Sequence, residues 1–543
     1  MDAQTPAGSP SPLHHAAIGQ IQGKYGKGVV QYLGIKYASL EDRLAEPQVM
    51  EYSGEEEIDA TRHGPPVLVP SKSAEMEMGF IQQQIPELNI PNMSDLDGLN
   101  LNITAPIDGG EALPVIVYIH GGGFTFGSSS YPHYDQSKVI ELSAIMEQPL
   151  IAINFNYRLG IAGFLTSQEL RSAGYKSNRG LLDQRAALAW TKKYISGFGG
   201  DPERIAVAGQ SAGAGESAPL ASVNFLMYSE EKLFHQAILL GGSFLMMKPV
   251  TTDAAEQIYH AVIQTLGLDN LTPAERVKSL LMMPQEQLVA QISKEMTSLG
   301  PTLDGTLIPA AATFSWLGDQ FVLSVPGFRW CERLLSIESQ YDGTIFALVN
   351  LNFRKQGIRD AFSNYVHEGL GGDAALKLLG FYGIHSATTD SEALGSITQF
   401  ITDIAFYAPS VKLAEAWPGA AFLGHFNESN PWDGPYKGKT NHLLDIAYLW
   451  GNYNQSYTRQ NWTVARTLAE NVVSFVSEED SLPEFKSKQP LVTVYGPSEE
   501  NISSYRVAWN DEGTRRNSAI FQLAEEAGGL DKLLEAAQGF LKA

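Results

Sequence analysis

Gly209-Gln210-Ser211-Ala212-Gly213 sets a serine among small residues, just after the apolar run Ile205 to Gly209. A serine placed so can serve as a nucleophile. The chain must turn sharply from strand to helix, lifting one hydroxyl clear of a sheet, and small neighbours leave room for the strained backbone. The helix that follows would point the positive end of its dipole at the reaction centre. The competing reading is a glycine-rich turn with an unreactive serine. A second group bears on that choice. His120-Gly121-Gly122-Gly123-Phe124 follows the apolar stretch Val115 to Ile119. Consecutive glycines let backbone N–H groups approach a substrate closely. Attack on an acyl carbon puts charge on its oxygen, and each preorganised donor is worth roughly 3 kcal/mol there. The expected donors are the amides of Gly122, Gly123 and Ala212, with His120 structural.

Serine needs a base, and the usual base is histidine, placed late in the chain in this arrangement. The late histidines are His367, His385, His425 and His442. His425 falls inside an apolar strand pattern. His442 follows the polar turn from Gly434 to Asn441 and opens an apolar helical run, so it is the expected base. An acid must fix the imidazole tautomer and stabilise its charged form. Asp342, in a turn beside an expected strand, fits that role, with Glu338 as the alternative. Asp445 reads as a solvent-facing or capping charge. Phe124, Phe126, Gln210 and Met247 are the candidates for a substrate pocket.

These groups need a frame. Leu113 to His120, Leu150 to Asn156, Ile205 to Gly209, Thr344 to Val349 and Ala420 to Phe426 read as buried strands. Gly180 to Ser196 and Gly529 to Lys542 read as helices. Strands alternating with helices predict an α/β fold with a mostly parallel sheet flanked by helices. A single domain over 1–543 is expected, with a flexible leader at 1–18. Residues 70–93, containing Met76, Met78, Phe80 and Ile81, read as a flap, and 250–335 as a helical insertion over the active site.

Composition narrows the function. The formal charge of −22 disfavours nucleic acid and anionic membranes as partners. No apolar run approaches the roughly 20 residues of a membrane span. One cysteine, Cys331, rules out an internal disulfide and a cysteine-based metal site. No clustered ligand spacing or P-loop occurs, so neither metal nor cofactor is expected. With no signal-like start the expected location is cytoplasmic; secretion with a leader already removed is the alternative.

Together these motifs resemble the type-B carboxylesterase and lipase family, which includes cholinesterases, and look closest to its fungal branch. The likeness runs from about Tyr32 to Gly451. It rests on Tyr32 to Ala38, Asp97 to Asn102, Asn156-Tyr157-Arg158-Leu159-Gly160, Asn178 to Gln184, Phe198 to Pro202 and the segment from His442 to Ile446. The resemblance implies the α/β-hydrolase fold and a triad of Ser211, Asp342 and His442. Four positions depart from the family pattern. Gly98 replaces a disulfide cysteine, Gln210 a glutamate, Asp342 the commoner glutamate, and Gly241 a serine near the triad. The expected activity is hydrolysis of a small-molecule ester through an acyl-enzyme. Amides, lactones, thioesters and acyl transfer remain open with the same machinery. A non-catalytic binding protein on this fold is the alternative from another class.

Overall fold

A computed structural model describes residues 8–86, 88–211, 221–242, 245, 248–292, 299–317, 324–479, 482–486 and 488–543. Among these, a 13-stranded sheet runs through the molecule. In chain order the strands are β1 (Pro10–His15), β2 (Gly19–Tyr25), β3 (Val29–Lys36), β4 (Ala38–Ser39), β5 (Gln48–Val49), β6 (Glu56–Asp59), β7 (Asn100–Pro106), β8 (Leu113–Ile119) and β9 (Ile151–Phe155). They continue with β10 (Gly200–Gln210), β11 (Gln236–Leu240), β12 (Arg333–Ser339), β13 (Ala420–Phe426), β14 (Leu491–Tyr495) and β15 (Ser504–Ala508). The sheet order is β1-β2-β3-β7-β9-β8-β10-β11-β12-β13-β14-β15, with β6 on β2 and a separate β4–β5 pair. From β9 to β14 every pairing is parallel; the pairings from β1 to β9 and of β14 with β15 are antiparallel, and β6 joins β2 in parallel.

The parallel centre explains the unbroken apolar runs. Every residue of β8 and β9 is buried, because crossover helices cover both faces of such a sheet. Trp190 and Leu188 on the helix Arg179–Tyr194 pack into one apolar layer, and Trp450 and Leu449 on the helix Leu444–Trp450 into the other. Arg158 and Asp183, from two of the family-like motifs, form a buried fork. The Arg158 Nε–H and Nη2–H donate to the two Asp183 oxygens at 2.8 and 2.7 Å. These motif residues thus lock the chain after β9 to the helix that precedes β10.

Three expectations change. Residues Pro10–His15 are strand β1, paired along its length with β2, so this part of the expected leader 1–18 is ordered strand; residues 1–7 lie outside the described residues. Prolines at 10 and 12 disguise it; an edge strand tolerates them because one side needs no N–H. Thr344–Val349 is a helix rather than a strand, and the strand beside the acid is β12, which precedes it. A short apolar run does not distinguish the two by periodicity. The range 250–335 contains the helices Thr252–Thr265, Pro273–Met282 and Gln285–Ile292, but its last residues belong to β12. The expected flap carries a helix, α1 (Ser73–Ile81), with Met78 and Ile81 buried. No helix among the described residues is long and apolar enough to cross a membrane.

Candidate active site

The parallel strands all end on one edge of the sheet, where open α/β sheets bind their ligands. β8 runs into the glycine loop, β10 into Ser211, β11 into Gly241, β12 into the turn bearing Asp342, and β13 into the chain leading to His442. Five separate segments thereby begin along one edge of the sheet.

Ser211 is 3% exposed, and its N–H donates to the carbonyl of Leu240 at 3.1 Å. The next residue, Gly241, has φ +66° and sits against the acid–base pair. A Cβ built there would lie 3.2 Å from Asp342 Oδ1 and 3.2 Å from His442 Cε1. Gly241 thus lies one residue beyond the carbonyl that receives the Ser211 N–H and packs against Asp342 and His442. His442 Nδ1 and Asp342 Oδ1 are 2.7 Å apart, and the Ser339 N–H donates to Asp342 Oδ2 at 2.7 Å. With a proton on Nδ1, the Nε2 lone pair faces outward from the pair, and Nε2 has no hydrogen-bond partner among the described residues. Burial raises the Asp342 carboxyl above its ordinary range, and the hydrogen bond and charge of His442 pull it back.

Glu338 does not share this pair. It lies within β12, in register with His425 on β13. Arg516 Nε–H donates to both its oxygens at 2.8 Å, and His425 touches it from the neighbouring strand. Burial pushes the Glu338 carboxyl up, but Arg516 and then His425 outweigh it and hold it below its usual range. Asp445 is fully buried, not solvent-facing. Its Oδ1 accepts from the Ile446 N–H at 2.9 Å, and Oδ2 has no partner among the described residues. Burial, with the nearby Asp342 charge, raises it to about 7.

The glycine loop lies directly on the end of β10. A Cβ at Gly121 would meet Gln210 Oε1 at 2.6 Å, the Gln210 carbonyl at 2.8 Å and the Ser211 carbonyl at 3.1 Å. Gly122 and Gly123 have φ of +104° and +62°. The Gly122 carbonyl accepts from Thr125 and Phe126, while neither the Gly122 nor the Gly123 N–H donates a backbone bond among the described residues. Asn156 Oδ1 anchors the loop's far end, accepting from the Ser128 hydroxyl at 3.0 Å and the Ser129 N–H at 2.9 Å. His120 stacks on Tyr157 with centroids 4.7 Å apart and donates through Nδ1 to the Gly121 carbonyl. Burial holds it below the usual histidine range, which suits a structural role.

The pocket candidates fare unevenly. Phe124 is fully buried in the main apolar core, 4.3 Å from Phe164 between centroids. Phe126 is buried outside the apolar clusters, and Gln210 faces Gly121. Ala212 and Met247 lie outside the described residues.

Three neighbours of His442 were not foreseen. Thr344 Oγ1 accepts from the His442 N–H at 3.0 Å. Phe406, on a π-helical turn (Asp403–Tyr407), places its ring 5.8 Å from the imidazole. Asn441 donates to the His442 carbonyl at 2.9 Å. A π-helical turn has no sequence signature of its own, but a threonine just after the acid's turn is visible as a capping type.

A model of the carboxylesterase family matches residues 10–537. Para-nitrobenzyl esterase of Bacillus subtilis is 29% identical over 443 residues, covering 80% of this chain and 82% of its own. Lipase 4 of Diutina rugosa is 30% identical over 278 residues, which is 50% of this chain and 49% of its own, so the chain spans about half the length of that relative. A solved structure of a PNB esterase superposes with a TM-score of 0.71 at 23% identity, over 93% of this chain and 99% of that one; that likeness carries the α/β fold.

Proposed function

The chain belongs to the carboxylesterase family, and from that premise we propose that it cleaves esters through an acyl-enzyme formed on Ser211, with His442 as general base and Asp342 as its orienting acid. That it is a carboxylic ester hydrolase follows from its family and relatives. The triad is supported by one arrangement above all. Asp342 holds Nδ1 of His442 at 2.7 Å, and Gly241 packs on that pair one residue beyond the carbonyl that receives the Ser211 N–H.

Nε2 of His442 takes the Ser211 proton as Oγ attacks the ester carbonyl carbon. Asp342 fixes the tautomer and stabilises the imidazolium. The carbonyl oxygen gains charge and is met by the N–H groups of Gly122, Gly123 and Ala212. His442 then protonates the departing alcohol, and the acyl–oxygen bond breaks. Water, deprotonated by the same nitrogen, attacks the acyl carbon; the acyl–Oγ bond breaks, His442 returns the proton to Ser211 Oγ, and the acid is released. Kinship with the fungal branch rests on the motif resemblance and the Diutina lipase match. The buried Cys331, its thiol pushed up by burial, fits a packing role and a cytoplasmic location.

The test is turnover of a small aryl ester together with labelling by an organophosphonate. Ser211→Ala is expected to abolish both and to leave the fold intact by circular dichroism. Retained turnover, or a label on another residue, would remove Ser211 from the mechanism. An acyl panel of esters, amides, lactones and thioesters, run against the same variant, identifies the bond class.

A further inference from the structure

The turn that ends at His442 also caps α1. Asn441 Nδ2 donates to the Phe80 carbonyl at 3.0 Å as well as to that of His442, and its Oδ1 accepts from Asn430 Nδ2 at 2.7 Å. Asn430 Nδ2 reaches the Ile81 carbonyl at 2.9 Å, and the Tyr436 N–H donates to Gln82 Oε1 at 2.8 Å. These contacts fall on the last turn of α1 and its cap, where backbone carbonyls have no partner within the helix. The segment bearing the base therefore supplies the groups that the helix end lacks.

The rest of α1 is fastened to a different segment of the chain, residues 131–134. Glu77, 3% exposed, accepts through Oε2 from His133 Nε2 at 3.1 Å and from the Tyr134 hydroxyl at 2.9 Å. The Ser73 and Tyr131 hydroxyls also touch. Residues 131–134 continue from the glycine loop, so α1 bridges the loop side and the base side. With Cys331 as the one cysteine of the chain, non-covalent contacts alone hold this bridge.

The backbone at the base needs holding. Leu443, directly after His442, has φ +74°, a left-handed conformation disfavoured for leucine and kept only where the surroundings impose it. Thr344 holds the His442 N–H from the acid's side. Asn441 holds the His442 carbonyl from the side of α1. We propose that Asn441 is a positioning residue that couples the seating of α1 to the orientation of His442, so the base is correctly placed only when α1 is docked. The inference rests on the reading of His442 as the base.

Asn441→Leu conserves bulk and removes all three side-chain bonds. With a small aryl ester, kcat falls about 10- to 100-fold while KM stays within about threefold, because the base is displaced rather than the substrate site. Phosphonate labelling of Ser211 slows in parallel. Glu77→Gln, which loosens α1 from its other end, also lowers kcat, yet adds little in the Asn441→Leu background. That non-additivity is the signature of a shared path. Losses that multiply independently, or a lowered melting temperature with kcat unchanged, overturn the proposal. If Asn441→Leu does not fold, Asn430→Ala removes the Ile81 and Asn441 contacts, together with the bond from the Trp432 N–H to Asn430 Oδ1, and is read by the same kcat and labelling criteria. Turnover surviving in Ser211→Ala would instead refute the triad, so the two failures are distinguishable.

Discussion

Glu338 and Asp342 are close in sequence yet meet different neighbours, and their substitution should separate catalysis from stability. Asp342→Asn keeps the shape but presents the wrong hydrogen-bonding group to Nδ1, so kcat should fall about 10⁴-fold with little change in melting temperature. Glu338→Gln leaves Arg516 buried and poorly paired, which should cost about 3–5 kcal/mol of stability, while kcat of the folded protein stays near that of the parent. Thermal melts and steady-state kinetics on both variants decide this, and a kcat collapse in Glu338→Gln alone would transfer the acid role. Residue types and order were enough to name Asp342 and His442 as partners, which the structure places 2.7 Å apart, because a late histidine and a turn-borne acid are recognisable as such. Asp445 was misread because charges usually face water. The signal against that default was Leu443, Leu444, Ile446 and Ala447 around it, a helix apolar on every side. Asn441 carried no signal, since its partner Phe80 lies far away in the chain.

The glycine loop and the end of β10 are two elements pressed together, and their spacing is set by what Gly121 lacks. Gly121→Ala would drive a Cβ into the carbonyls of Gln210 and Ser211. Backbone cannot swing aside as a flexible side chain can, so the loop must move away from the nucleophile. Loss of an oxyanion donor's alignment should lower kcat about 10²- to 10³-fold, with binding of a non-hydrolysable phosphonate ester weakened in step. An unchanged kcat would mean that the loop relaxes without disturbing its donors. At this scale β8, β9 and β13 were legible to within a residue or so, as Ala420–Phe426 illustrates, because continuous apolar runs between turns suit a parallel sheet, while Ile205 to Gly209 is only the apolar end of the longer β10. β1 and the helix Thr344–Val349 were not. The first hides behind prolines that an edge permits, and the second depends on where β12 ends, which only pairing with β13 determines.

Over the whole molecule, buried carboxyls and net charge should tie stability to pH. Burial raises Asp403 to about 7 even though the Tyr382, Gln399 and Asn517 side chains donate to it. Asp445 is raised to about 7 as well. In the unfolded chain each ionises near 4. Between about pH 4 and 7 the folded state therefore holds protons that the unfolded state has released, so stability falls as pH rises through that window and the loss is complete above about 7. Half-buried His63 and buried His120 and His425 are held low by desolvation; the unfolded chain binds more protons there, and stability rises with pH up to about 6.5. The two trends oppose one another, so the raw profile is less informative than a difference. Asp403→Asn cannot ionise. Its melting temperature relative to the parent should climb from pH 4 to 7 and then level off, with an upper bound of about 4 kcal/mol. Self-repulsion from the charge of −22 acts in the same direction, but salt screens exposed charges far more than buried ones. Repeating the difference profile at high salt should leave the Asp403 contribution in place. A flat difference would mean that Asp403 ionises normally in the folded protein, with its three donors outweighing burial.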